Sequence, residues 1–159
     1  MRIRDARHDE AGLLGSIAFE SKGYWKYPPE AMAGWRGDLV VRLEPRERRP
    51  ALVAEEAGEV AGFCQLVLEQ ELPELAHLWV RPAWIGRGVG RALLRRAGAR
   101  LRELGHARMR IDADPNAEAF YLRCGATRQG EVAAPIPGDP GRVRPQLLLA
   151  VARLVPPHV

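Results

Sequence analysis

The sequence predicts an α/β fold, a mixed central β-sheet flanked by helices, with residues 1–159 forming one domain. Three observations predict it. Hydrophobic spacing switches repeatedly between a period of two and a helical period of roughly 3.6. The switches run in the order strand, two helices, three strands, helix, strand, helix, two strands. The three middle strands form an antiparallel meander across short turns, whereas the later ones alternate with helices, so the sheet is mixed. The length, 159 residues, suffices to bury a real core.

The elements follow in order. Arg2 to Ala6 read as a short edge strand. Asp9 is placed to cap a helix reaching Lys22, with Leu13, Leu14, Ile17 and Ala18 as its buried stripe. Ser21 to Pro29 is dense in aromatic and basic groups. Pro29 opens a second helix, Glu30 to Val41, with Met32, Trp35 and Leu39 inward. Arg42 to Pro50 is a charged surface loop. Ala51–Glu55 and Glu59–Glu71 flank a hairpin turn at Glu56-Ala57-Gly58. Leu72-Pro73 breaks that run, and Glu74–Val80 is the next strand. Gly88 to Gly105 carries a long helix with Val89, Leu93, Ala97, Leu101 and Leu104 on one side and Gly105 as its C-cap. His106–Ile111 is a strand, and Asp114-Pro115 starts a helix through Arg123. Thr127–Val132 and Pro145–Val151 close the sheet across a Pro/Gly-rich loop, Ala133 to Arg144.

Composition narrows the function classes. The net charge is +4 and the basic residues are nearly all Arg, with Lys only at 22 and 26. Acidic residues are interspersed throughout, so the balance does not read as a nucleic-acid stripe. The Arg91, Arg95, Arg102 set reads as a solvated helix exterior. No apolar run is long enough to span a bilayer, so no membrane partner is expected. Met1 to Asp5 is polar and alternating, unlike a signal peptide. Cys64 and Cys124 make neither a disulfide framework nor a metal site, so a cytoplasmic protein without a metal is expected. Both thiols read as small buried hydrophobes. The strand at Pro145–Val151 reads as exposed and offers an edge for a homodimer.

The run Leu78-Trp79-Val80-Arg81-Pro82 through Ile85-Gly86-Arg87-Gly88-Val89-Gly90-Arg91-Ala92-Leu93-Leu94 carries the chemistry. A strand stops at Pro82, which has no N–H to give. Glycines follow at alternate positions, then a helix begins. That construction gathers bare N–H groups at the positive end of a helix, which suits a phosphate. It is not a P-loop, because no Gly-Lys-Ser/Thr follows. The dinucleotide fingerprint also fails, since the sixth position is Arg91 or Leu93 in the two frames.

The run resembles the acyl-CoA loop of the GCN5-related N-acetyltransferases. A second segment, Asp112-Ala113-Asp114-Pro115-Asn116-Ala117-Glu118-Ala119-Phe120-Tyr121-Leu122-Arg123-Cys124-Gly125-Ala126, resembles that family's Asn-x-x-Ala-x-x-Phe-Tyr-x-x-x-Gly motif. The helix and strand between the two segments match as well. There are two departures. Ile85 stands where the family has Gln or Arg, and Asp114 stands where it has Asn, with Asn116 two residues later.

The resemblance implies transfer of an acetyl group from acetyl-CoA, the acyl donor co-substrate, to a primary amine by direct attack. It implies that Ile85, Gly86, Arg87, Gly88, Val89, Gly90 and Arg91 cradle the diphosphate. Leu78, Trp79 and Val80 would pair with the pantetheine arm, helped by Asn116 or Asp114 and by Phe120 and Tyr121. Tyr121 occupies the place of the acid that protonates the leaving thiolate. A base is wanted on the same sheet. His77 is the choice for its near-neutral intrinsic pKa, ahead of Glu74, Glu69 and Glu71. Lys22 to Tyr27 and Ala133 to Arg144 would flank the acceptor. Tyr24, Trp25 and Tyr27 offer an aromatic wall for a cationic or flat amine, whereas Lys22 and Lys26 favour an anionic one. A small-molecule amine is the expected substrate. The alternatives are a protein N-acetyltransferase and a non-catalytic acyl-CoA-binding sensor.

Overall fold

The computed structural model describes residues 1–156; residues 157–159 of the expected domain lie outside the described part. The chain runs β1 (Arg2–Asp5), α1 (Ala11–Gly23), α2 (Pro29–Trp35), β2 (Ala51–Glu56), β3 (Glu59–Val67) and β4 (Glu74–Val80). It continues α3 (Val89–Glu103), β5 (Arg108–Asp112), α4 (Glu118–Arg123), β6 (Thr127–Ala133), β7 (Val143–Ala150) and α5 (Val151–Leu154). The strands form one mixed sheet in the order β1-β2-β3-β4-β5-β7-β6. Only β4 and β5 are parallel.

The hairpin between β2 and β3 turns at Ala57 and Gly58, both at positive φ, 52° and 79°. That pair of left-handed residues matches the twist of the strands it joins. Two separate cores result, one on each face of the sheet. Leu93, Leu94, Ala97 and Leu101 of α3 pack with Leu66, Leu75, Met109, Ile111, Leu147 and Leu149. On the other face Leu14, Ile17 and Ala18 of α1 pack with Val53 and Phe63.

Register decides which residues of β4 meet which core. Gln65 pairs with His77 but Leu66 pairs with Leu75, so β4 carries one extra residue, Ala76. This bulge reverses the alternation. Leu75, Leu78 and Val80 all face the α3 core, while Trp79 packs on the α1 core. His77 shares the face of Trp79 and lies beside Phe63, ring centroids 5.9 Å apart.

Several expectations need correction. The second helix ends at Trp35, not at Val41. Beyond it Leu39, Val41 and Leu43 are buried while Val40, Arg42 and Glu44 are exposed. That period of two belongs to extended chain. Leu13 and Leu104 face solvent, at 38% and 51% exposure. Asp9 does not cap α1, because Glu10 takes the Arg7 amide instead, at 2.7 Å. The strand at the C-terminal end is interior, between β5 and β6, so it offers no dimer edge. It also stops at Ala150, where the chain turns into α5. Gly98 makes room for that helix: a Cβ there would sit 3.1 Å from Leu154. Among the described residues no helix is long and apolar enough to cross a membrane.

Candidate active site

A sheet that parts in its middle sets up the site. β4 and β5 share one Cα pair, Glu74 with Arg110, reinforced by the Arg110 amide donating to Pro73 O at 2.9 Å. Past that point the strands diverge. The edge of β4 that faces β5 is left unpaired along Leu78–Val80, and its N–H and C=O groups can accept an extended, amide-bearing ligand.

The glycine run lies at the open end of this gap. Trp84 and Ile85 give their amides to Arg81 O and Pro82 O. Ile85 therefore contributes no backbone donor and exposes an apolar side chain, 44% accessible. The first amide of the run without such a partner is that of Gly86. Gly86 and Gly88 have φ of 83° and 80°, the left-handed region that glycine enters without steric cost. A Cβ on either would meet nothing within 4 Å, so the space above the loop is open. Gly88 stands at the N-cap of α3 without a side chain to close it, which leaves the first-turn amides of Val89, Gly90 and Arg91 without intrahelical partners. Gly90 serves a different need. A Cβ there would lie 3.3 Å from the Phe120 ring and 3.6 Å from Val80. Its absence lets α4 and β4 close on α3. Arg87 stacks over Trp84 at 5.1 Å.

Tyr121 is buried on α4, at 6% exposure, edge-on to Phe120 at 5.2 Å. Burial raises its phenol pKa well above the usual value, with smaller contributions from Cys64, Cys124 and Asp114. It is a neutral proton donor at any physiological pH. No side-chain hydrogen bond to its hydroxyl occurs among the described residues, and the atom is not among the fully buried unsatisfied ones. The hydroxyl is thus free to bond something in the gap.

His77 is less suited to the base role. Trp79 Nε1 donates to its Nδ1 at 3.0 Å, so the imidazole lone pair is occupied and the proton sits on Nε2. Burial lowers its pKa to about 4. A ring in that tautomer donates from Nε2; it takes up a proton poorly. Glu74, on the same strand, is held in an ion pair with Arg110 at 2.7 Å.

The three aromatic residues do not make one wall. Tyr24 and Trp25 are exposed and pack edge to face, 5.0 Å apart. Tyr27 turns away from them because Asp114 takes its hydroxyl, at 2.8 Å. Asp114 is the hub of a buried cluster. Lys22 Nζ lies 2.5 Å from it, and Arg142 Nη2 lies 3.6 Å away. Both cations also sit over Trp35, at 4.2 and 5.1 Å. Lys22 is therefore not a free cation for the acceptor. Burial lowers its pKa, and Asp114 opposes that. Asp114 also accepts the Asn116 amide at 2.8 Å and so caps the turn before α4. Asn116 is the exposed member, donating from Nδ2 to Tyr27 Oη at 2.9 Å. Arg142 carries no sequence signal, because it lies in a Pro/Gly-rich loop. Asp114 carries one, in its Asp-Pro capping pattern.

Residues 47–125 match the family described as the acetyltransferase (GNAT) domain. The chain belongs to the GCN5-related N-acetyltransferases. It is an acyltransferase by that membership. Solved structures share the fold. The PaiA N-acetyltransferase from Thermoplasma acidophilum, in complex with coenzyme A, superposes with TM-score 0.74 at 18% identity, covering 94% of this chain and 98% of that one. The ribosomal-protein-S18-alanine N-acetyltransferase from Escherichia coli gives 0.72 at 17%, covering 94% and 93%. A spermidine N-acetyltransferase from Vibrio cholerae gives 0.69 at 14%, covering 98% and 96%. No curated protein matches the sequence.

Proposed function

We propose that this protein transfers an acetyl group from acetyl-CoA to a primary amine of a small molecule, by direct attack. The observation that supports this reading is a set of three unsatisfied features. They are the bare amides of Gly86–Arg91, the unpaired edge of β4 at Leu78–Val80, and the partnerless hydroxyl of Tyr121.

Each feature has a task. The amides and Arg87 and Arg91 bind the diphosphate. The edge of β4 holds the pantetheine amides in register, with Asn116 and Phe120 beside them, and a main-chain N–H of the same stretch can stabilise a developing oxyanion. The thioester supplies an activated acyl carbon with a thiolate leaving group. Burial keeps Tyr121 protonated, so its hydroxyl serves as a neutral hydrogen-bond donor to the developing thiolate, which leaves as the thiol once a proton arrives from solvent. The amine proton passes to water at the Glu74 end of the gap. His77 orients such a water by donating from Nε2, with Trp79 fixing its tautomer.

The acceptor side favours a small amine. Tyr24 and Trp25 are exposed and unbound to the Asp114 cluster, so they are free to cover a flat or cationic group. Cytoplasmic location follows as part of the same reading.

Free-thiol release from acetyl-CoA, measured across a panel of small amines and of peptides, tests the proposal. Turnover on a small amine is expected. Saturable donor binding with no turnover on any amine would leave a sensor instead, and turnover on peptides alone would leave a protein-modifying enzyme. Tyr121→Phe is expected to lower kcat by about a hundredfold with little change in donor affinity.

A further inference from the structure

A cleft of about 310 Å³ lies between α3, α4 and α5, ringed by Arg91, Arg95, Arg123 and Arg153. Its floor is Cys124 and Gly125. Several arginines elsewhere in the chain meet carboxylates, among them Arg4, Arg49, Arg100, Arg110 and Arg128. Among the described residues none of the four around the cleft has an acidic partner. Arg91 and Arg95 stand one helical turn apart on the same face of α3, where like charges repel. The charges of Arg91, Arg123 and Arg95 each pull the Cys124 thiol pKa down, against the larger upward push of burial.

Arg153 is directed to this place by the backbone. Gly125 ends α4 at φ 104°, and a Cβ there would lie 2.8 Å from Arg153 Nε. Glycine alone lets the guanidinium cross the end of α4. Four unpaired guanidinium groups converging on one cleft are self-repelling until an anion arrives, and their planar forks suit a phosphate. The cleft adjoins the cradle, because Arg91 belongs to both.

We propose that this cleft is a phosphate-monoester site that receives the 3′-phosphate of the acyl donor's nucleotide, so that the enzyme discriminates coenzyme A from its 3′-dephospho form. The proposal rests on the donor reading above. It assigns Arg123 and Arg153, which lie outside the cradle, to donor recognition.

Calorimetric titration with coenzyme A and with 3′-dephospho-coenzyme A tests it, in the wild type and in Arg123→Gln, Arg153→Gln and the double variant. Both side chains are exposed, so the variants are expected to fold. Wild type is expected to prefer coenzyme A by about thirtyfold at low salt, shrinking as salt rises. The double variant should lose most of that preference while its affinity for the dephospho form stays within about twofold. Equal affinities in the wild type overturn the assignment, as does a variant that weakens both compounds alike. Adenosine 3′,5′-bisphosphate separates the sources: if it binds alongside intact coenzyme A, the cleft serves a separate phosphate ester and the donor assignment falls. If neither coenzyme form binds the wild type, the donor reading itself falls, and this proposal with it.

Discussion

The two longest helices begin in opposite ways. Ahead of α1, Glu10 accepts the Arg7 amide and grips both terminal nitrogens of Arg4, at 2.8 and 2.9 Å. Its side chain is only 5% exposed. The Arg4 guanidinium, aided by the Arg7 amide, holds the Glu10 pKa down at about 2 against the cost of burial. At α3 the first residue is preceded by Gly88, no side chain caps the helix, and no acid lies in the first turn. Arg91 adds positive charge instead. Both helices have a positive N-terminal end. One end has the protein's own carboxylate, Glu10, at its N-cap position, held there by Arg4 and the Arg7 amide rather than by the helix amides. The other is kept open for an anion from outside, and its stability must come from the buried stripe of α3.

This contrast can be broken from either side. The largest effect is expected from Gly88→Glu, which supplies α3 with the acid it lacks. Donor affinity should fall by about a thousandfold through like-charge repulsion and a blocked cradle, with a cooperative unfolding transition retained. Unchanged affinity by calorimetry would show that the open end of α3 is not the diphosphate seat. Glu10→Gln makes the converse change at α1. It leaves Arg4 buried beside a neutral group and should cost about 3 kcal/mol of stability in urea titration. Donor affinity should not move; a parallel loss of binding would mean that the two ends are not separable.

Acid sharpens the comparison next. Glu10 and His77 both have lowered pKa values in the folded state. His77 drops from 6.5 to about 4. Its stability contribution is complete above pH 6.5 and is lost as pH falls through that window, because the unfolded chain protonates first. Glu10 drops from 4.5 to about 2, so its contribution is lost below pH 4.5. A two-stage decline in unfolding free energy is expected, and His77→Phe should remove the upper stage alone. The smallest effect belongs to Gly88→Asn. Asparagine tolerates the left-handed conformation and adds no charge. Donor affinity should change by no more than about threefold, which separates charge from backbone strain at that position.

The contiguous motifs, the glycine run and the Asp112–Ala126 segment, are legible in the sequence, and the long-range cluster around Asp114 is not. The strand, the glycines and α3 are contiguous, so local spacing alone brings the cradle together. Tyr121 needed the second segment. The pairing of Lys22 with Asp114 spans 92 residues, and no periodicity reports such a pair. The Tyr27–Asp114 bond is hidden for the same reason. The bulge at Ala76, which sends His77 to the face opposite α3, has no signature in an Ala-His step. The Leu39-Val41-Leu43 alternation was present but was overridden by the helical reading that Pro29 had started. The last short helix, which closes on Gly98, is too brief to show a period at all.

The parting of β4 from β5 has a consequence for colloidal behaviour. A sheet of this kind has four free margins, two outer and two inner. Unpaired margins invite pairing between molecules. The outer ones are defended by sequence: β1 presents Arg2 and Asp5, and β6 carries Arg128 and Glu131 beside an irregular register at Gly130. The inner margins are defended by charge and by closure: β5 carries Arg108, Arg110 and Asp112, and the two strands are tied together where Glu74 pairs with Arg110.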